Sequence, residues 1–343
     1  MIPVAAAERG APAGDAPARG AAAAIRRRDR RVTLAGLAAI AAAGALGFFA
    51  FPNDLGFLTR VVSAALFVLS LDLVVGYCGV ATLGHAALFG AGAYGAGIAA
   101  VHGGWSGPIG LLSAGLAAGA AAGLISGIVV LRATGLPQLV LSIAVVQLAG
   151  ALANKASTIT GGSDGLSGIS PDPLFGIFPF DLYGQTGYCL GLALLLGVYG
   201  LLRLVVRSPF GLLCRGIRED VIRVRAMGAR ITPPLVAMYG LSGAVAGLAG
   251  GLSALTTGVV GLDSVSFERS ATALVMLVFG GAGTLAGGLV GTVAFQIFEH
   301  VVSAANPFHW LTLVGFLLII VVLFLPEGLQ GLVARLARGA PAP

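Results

Sequence analysis

RLVVRSPFGLLCRGIREDVIRVRAMGARIT, residues 203–232, is a polar island in an otherwise apolar chain. It carries seven arginines, Arg203, Arg207, Arg215, Arg218, Arg223, Arg225 and Arg230, against two acids, Glu219 and Asp220. Long hydrophobic runs flank it on both sides. A segment this basic belongs on the cytoplasmic face of a membrane protein, and so it orients the helices around it. Its local signals predict a turn at Ser208-Pro209-Phe210-Gly211 and a short helix from Ile217 to Ala229. They also predict a helix start with Thr232 as N-cap and Pro233 at the first helical position. A plain connector between two membrane helices needs fewer residues, so the island reads as a contact surface for a partner.

The rest of the composition agrees with a membrane setting. The 343 residues are 57% hydrophobic and 10% charged, with a mean hydropathy of +0.97; a soluble domain has about 25% charged residues. Apolar runs of about 20 residues recur along the chain, each long enough to cross a bilayer. The expected spans are 33–51, 57–76, 79–101, 108–131, 136–154, 182–206, 234–257, 270–284, 288–304 and 310–325. The expected fold is therefore an all-α, polytopic membrane helix bundle of about ten spans, some glycine-broken or re-entrant. A disordered cytoplasmic tail (1–31) precedes a transmembrane domain (32–333), and a second cytoplasmic tail (334–343) follows. Within the domain, 155–181 is an external, periplasmic loop and 207–233 a cytoplasmic one. Arg30-Arg31 faintly resembles a twin-arginine export signal, but an apolar bundle follows it, so an uncleaved first helix is expected.

The charges test this threading. With both termini inside, seventeen of the 20 Lys and Arg residues are cytoplasmic, and only Arg60, Lys155 and Arg269 fall outside. The net charge of +6 follows from topology and calls for no nucleic-acid partner. Cys78, Cys189 and Cys214 show no CxxC spacing, which predicts neither a disulfide nor a metal site. The single lysine, Lys155, follows Asn154, so no phosphate-binding P-loop can form. No zinc motif or Ser-His-Asp set is evident. The chain does not read as an enzyme and calls for no cofactor.

Glycine makes up 54 of the 343 residues, over twice the usual share of about 7%. Three ridges stand out: Gly115, Gly119, Gly123 and Gly127; Gly243, Gly247 and Gly251; and Gly283, Gly287 and Gly291. Each lines one helix face. Close helix packing explains them, and faces that slide during a transport cycle are the alternative. Two spans are interrupted by small residues, Gly79 to Gly97 and Gly280 to Gly288, which points to a pathway near the membrane midplane. Free N–H groups near Gly84 and Gly283 would suit a substrate carboxylate. Asp72 and His85 are ionisable groups at depth, each read either as part of the pathway or as a satisfied structural group. Glu299 lies nearer an interface. Thr82, Tyr94, Ser142, Gln147 and Thr284 are neutral polar groups that serve either as helix glue or as solute contacts. The external loop is turn-rich around Gly161, Gly162, Ser163, Asp164, Gly165 and Pro171.

Five stretches then carry a family resemblance: VVGYCGVATLGHAALFGAGAYGAGI (74–98), TGGSDGLSGI (160–169), SPFGLLCRGIREDVIRVRAMG (208–228), LVMLVFGGAGTLAGGLVG (274–291) and LPEGLQGL (325–332). Over roughly residues 57–332 the chain resembles the permease subunit of branched-chain amino acid ABC transporters, the LivM type. The resemblance implies a heterodimer with a homologous second permease, two cytoplasmic ATPase subunits and a periplasmic substrate-binding protein at the bacterial inner membrane. It implies that 208–228 is the coupling segment, matched at Ile217, Arg218, Glu219, Asp220, Ala226, Met227 and Gly228, with Arg215 a further coupling candidate in the same segment. The ionisable and polar groups at depth and the glycine breaks place the expected pathway near Asp72, Thr82, Gly84, His85, Tyr94, Gly283 and Thr284. The family usually has Asn where this chain has Asp72, and often Gln where it has Val80. The expected cargo is a branched-chain or other hydrophobic amino acid. Urea, short amides or aromatic acids are the alternative cargoes within the family. Outside it, the alternatives are an ion-driven transporter using Asp72 and a structural membrane scaffold, and the glycine-broken spans argue against the scaffold.

Overall fold

The computed structural model describes residues 15–180 and 184–305, with scattered positions from 312 to 331. Apart from those positions, the expected tenth span and the 325–332 motif lie outside the described residues. So do 1–14 and the tail 334–343.

Twelve helices are described: α1 (Asp15–Ala50), α2 (Leu55–Asp72), α3 (Ala86–Val101), α4 (Pro108–Val130), α5 (Leu136–Lys155), α6 (Ser157–Thr160), α7 (Gln185–Arg207), α8 (Pro209–Glu219), α9 (Val221–Ala226), α10 (Thr232–Thr257), α11 (Phe267–Gly280) and α12 (Leu285–Ala305). A π-helical turn, Leu73–Tyr77, extends α2. Two two-residue strands, β1 (Leu166–Ser167) and β2 (Val259–Val260), pair antiparallel. The molecule is an all-α, polytopic bundle.

Seven described helices are long and apolar enough to cross a membrane. The expected count of ten is not reached among the described residues. The third and eighth expected spans are α3, with 16 residues, and α11, with 14. At 1.5 Å per residue they reach about 24 and 21 Å, short of a hydrocarbon core of about 30 Å. Of the glycines expected to interrupt these spans, Gly79 and Gly84 precede α3 and Gly280 to Gly283 end α11 and form the joint, whereas Gly90, Gly92, Gly95 and Gly97 lie inside α3 and Gly287 and Gly288 inside α12. Residues 78–85 leave the π turn as a non-helical segment, and α3 begins only at Ala86. The first helix also differs from expectation, because its backbone is helical from Asp15, inside the segment expected to be a disordered tail. Ala and Arg, which dominate 18–31, are strong helix formers.

Helices α2 and α10 form the centre, each with 78% of its apolar window buried. Helix α10 packs most extensively on α4 and α3. The glycine ridges set that packing. A Cβ at Gly119 would lie 2.5 Å from the Cα of Gly247, and one at Gly115 would lie 3.0 Å from the Gly247 carbonyl. The α11–α12 pair uses the same device, with Gly280 against Gly287 and Gly291. Helix α1 is peripheral and leans on α7, where the Tyr188 hydroxyl donates to Gly44 O at 2.9 Å.

The polar island folds differently from its local signals. Ser208 is the N-cap of α8, its Oγ accepting the Gly211 N–H at 3.3 Å, so the expected turn is a helix start. The expected single helix from Ile217 to Ala229 is split at Asp220. That side chain caps α9 by accepting the Arg223 N–H at 2.9 Å, and Asp favours a cap over a helix interior. Thr232 is the first residue of α10, and Ile231 is its N-cap. Of the two N–H groups a Thr232 cap could use, Pro234 lacks one and only Leu235 supplies the other.

Candidate functional site

Opposite ends of the bundle are defined by the chain's own turns. Helix α2 runs from Leu55 to the π turn, α7 runs from Gln185 to α8, and α10 runs from Thr232 to β2. Gly184 sits against Gly56, and β1 pairs with β2, so the 155–181 loop shares one face with the start of α2. Helices α8 and α9 lie on the other face. Along the axis between them the polar groups form three layers.

The layer nearest α8 is a clasp. Arg218 Nη1 donates to the carbonyl of Gly76 in the π turn, and the stem of Arg218 packs on Gly79, whose φ is +70°. A Cβ at Gly79 would lie 2.7 Å from Arg218 Cγ, so glycine is needed there for both φ and space. Arg215 stacks over Tyr77 at 4.7 Å. Asp72 is fully buried, and its Oδ1 accepts the Gly283 N–H at 2.7 Å. Both arginines lie within electrostatic reach of that carboxyl. The clasp therefore joins α8, the π turn and the Gly281–Thr284 joint between α11 and α12. π turns inside helices often mark functional positions. Cys78 and Cys214, both buried free thiols, adjoin each other at the same seam.

The middle layer is a dry polar node around His85. Its Nε2 lies 3.0 Å from Ser70 Oγ and 3.1 Å from Ser242 Oγ. Ser70 donates its one proton to Phe67 O, and Ser242 donates its own to Ser70 O, both at 2.6 Å. With both hydroxyl protons committed to carbonyls, Nε2–H shares its single proton between the two serine oxygens, and Nδ1 has no partner among the described residues. Tyr239 donates to Thr82 Oγ1 at 3.0 Å, and Thr82 in turn accepts the Gly84 N–H at 3.3 Å. Ser142 takes the Leu83 N–H at 3.0 Å, and Ser270 takes the Ala86 N–H at 2.8 Å.

The backbone N–H groups expected to be free at Gly84 and Gly283 are therefore occupied by Thr82 and Asp72. A buried amide without water must find a partner inside the protein. Asp72 Oδ2, His85 Nδ1 and Tyr94 OH are buried without a partner among the described residues. Each retains capacity for one more hydrogen bond. Thr284 donates to Gly281 O at 3.1 Å, within the joint. Gln147 is exposed on α5, away from these layers.

The outer layer is a cavity of 790 Å³ between α2, α11, α12 and the Val259–Ser266 segment. Exposed Arg60, Asp263 and Glu268 line its mouth, with half-buried Arg269 and Glu299, and buried Phe67 and Phe89 form its floor. Arg60 and Arg269 are two of the three cations that break the positive-inside count. That exception is the sequence signal for this cavity. Ser70, Ser242 and Ser270 carry no such signal, since serine is common helix glue.

The loop residues form a collar beside the mouth. Gly161, Gly162 and Gly165 all have positive φ, and a Cβ at Gly165 would lie 2.7 Å from Val260 O. Ser163 Oγ donates to Asp164 Oδ1 at 3.3 Å, and both residues are exposed.

On α8 and α9, Cys214, Ile217 and Val224 face inward, while Ile222 is 81% and Met227 72% exposed. Glu219, Ala226 and Gly228 are exposed on the same segment, and Gly228 has a φ of +82°.

Residues 54–323 match the family described as branched-chain amino acid transport system, permease component. The LivM permease protein of the high-affinity branched-chain amino acid transport system of Salmonella typhimurium is 28% identical over 282 residues, covering 76% of this chain and 66% of LivM. The Escherichia coli K12 LivM protein is 27% identical over the same shares. The BraD permease protein of Pseudomonas aeruginosa is 27% identical over 135 residues, 39% of this chain and 44% of BraD. The chain thus spans just under two thirds of the LivM length. No solved structure matches.

Proposed function

Because the chain belongs to the family of branched-chain amino acid transport permease components, we propose that it is the membrane-spanning subunit of an ABC importer for branched-chain or other hydrophobic amino acids. It works at the bacterial inner membrane with both termini and the α8–α9 segment in the cytoplasm. A homologous second permease completes the passage. Two ATPase subunits bind α8–α9, and a periplasmic binding protein delivers solute to the collar around 155–181. The coupling residues are Arg215, Ile217, Arg218, Glu219, Asp220, Ala226 and Gly228.

The observation that carries this reading is the bond from Arg218 to Gly76 O. It ties the surface helix to the π turn and, through Asp72, to the Gly283 joint. Movement of α8 by a partner is thereby transmitted to the joint that closes the inner end of the bundle. The exposed Ile222 and Met227 support a protein partner, since large apolar side chains in a basic surface segment mark an interaction site. Asp72, Thr82, Gly84, His85, Tyr94, Gly283 and Thr284 lie along the passage.

A second reading rests on the unpartnered Asp72 Oδ2, which would suit an ion-driven transporter. Uptake into cells producing the chain separates the two. ATP-coupled import stops when ATP is depleted and persists under a protonophore while ATP is maintained. The opposite pattern would replace the importer with the ion-driven reading.

A further inference from the structure

The outer cavity combines two features that are not explained by packing. Its mouth holds two oppositely charged couples in different states. Arg269 is closed onto Asp263, with Nη2 to Oδ2 at 3.1 Å and Nε donating to Asp263 O at 3.2 Å, and it stacks over Phe89 at 4.9 Å. Arg60 and Glu299 line the same cavity and feel each other's charge, yet they form no ion pair among the described residues. Neither charge is neutralised by the other, so the cavity wall offers both a cation and an anion to a molecule carrying the two complementary charges. The second feature is the floor. Arg60, Ala64 and Phe67 lie on one face of α2, at i, i+4 and i+7, about 10 Å from first to last. Phe67 and Phe89 meet there at a centroid distance of 5.0 Å and separate the cavity from the His85 node.

We infer that this cavity is a binding site on the permease itself for a zwitterionic α-amino acid with an apolar side chain. Arg60 takes the carboxylate, Glu299 takes the ammonium, and the side chain rests on the Phe67–Phe89 floor. A lone carboxylate or a lone amine would leave one of the two protein charges unmatched. The inference deepens the importer reading by giving the permease its own ligand selection, and it rests on that reading for the direction of flow.

The test is equilibrium binding of radiolabelled L-leucine and L-phenylalanine to membranes carrying the full-length chain, without ATP or binding protein, against membranes lacking the chain. Saturable binding is expected with at least one probe. It should weaken at least tenfold in both R60Q and E299Q and be restored in part by R60K and E299D. Neither 4-methylpentanoate, which is leucine without its amino group, nor 3-methylbutylamine, which is leucine without its carboxyl group, should compete. No saturable binding of either probe, or binding by R60Q and E299Q as strong as by the unsubstituted chain, would overturn the site. Competition by either half-molecule as strong as that of leucine would overturn the zwitterion assignment. Leucine binding that survives alongside uptake insensitive to ATP would sink the importer reading and leave the site standing.

Discussion

The two ends of the bundle use arginine in opposite ways. At the α8 end, Arg215 and Arg218 are spent on the protein's own groups, the Tyr77 ring and the Gly76 carbonyl. At the other end, Arg60 faces an open cavity and an acid that it does not reach. One end is latched and the other is open, with the His85 node between them. The α8 end is joined to the π turn and the Gly283 joint by charge-assisted bonds as well as by the buried Cys214 and Ile217. Such bonds contribute about 1.5–3 kcal/mol each, a size that a bound partner can offset.

The strongest way to break the contrast is Arg218→Glu, which removes the bond to Gly76 and sets a carboxylate near Asp72. ATP-coupled uptake should fall by about 100-fold or more, while membrane insertion, followed by surface labelling, stays intact. Normal uptake in that variant would remove α8 from the coupling path. The wall shared by both ends is tested next by Gly247→Val, because any side chain there meets the α4 backbone at Gly115 and Gly119. Overpacking of this kind costs about 1–3 kcal/mol, so thermal unfolding in detergent should shift down by several degrees. An unchanged midpoint would mean that the α4–α10 contact is loose. Asp72→Asn should have the smallest effect. An amide oxygen can still accept the Gly283 N–H, and the amide nitrogen takes the place of the unpartnered Oδ2. Uptake should fall a few-fold, on the order of 1 kcal/mol, with altered pH dependence. An unaltered rate and pH profile would make Asp72 a purely structural hydrogen-bond acceptor.

Much of this was legible in the order of residues. Hydropathy and the arginine asymmetry identify a polytopic membrane bundle, because bilayer thickness and the positive-inside rule act on local composition. The glycine ridges announce close helix contact, and α4 and α10 do meet along them. The interruptions at Gly79 and Gly280 mark where α3 and α11 fall short. Local chemistry misled where two signals competed in a few residues. Ser208-Pro209 reads as a turn or as a helix start, and Asp220 reads as a helix residue or as a cap.

Sequence alone determined the solvent, the breaks at Gly79 and Gly280, and the position of the basic segment. Only the tertiary structure decided which groups those breaks satisfy. The bond from Gly283 to Asp72 spans 211 positions and that from Arg218 to Gly76 spans 142; no local pattern encodes such a pairing. A buried amide or carboxyl takes whichever partner the packed helices bring within reach. The same packing turned Arg60, an exception in a charge count, into one wall of a cavity.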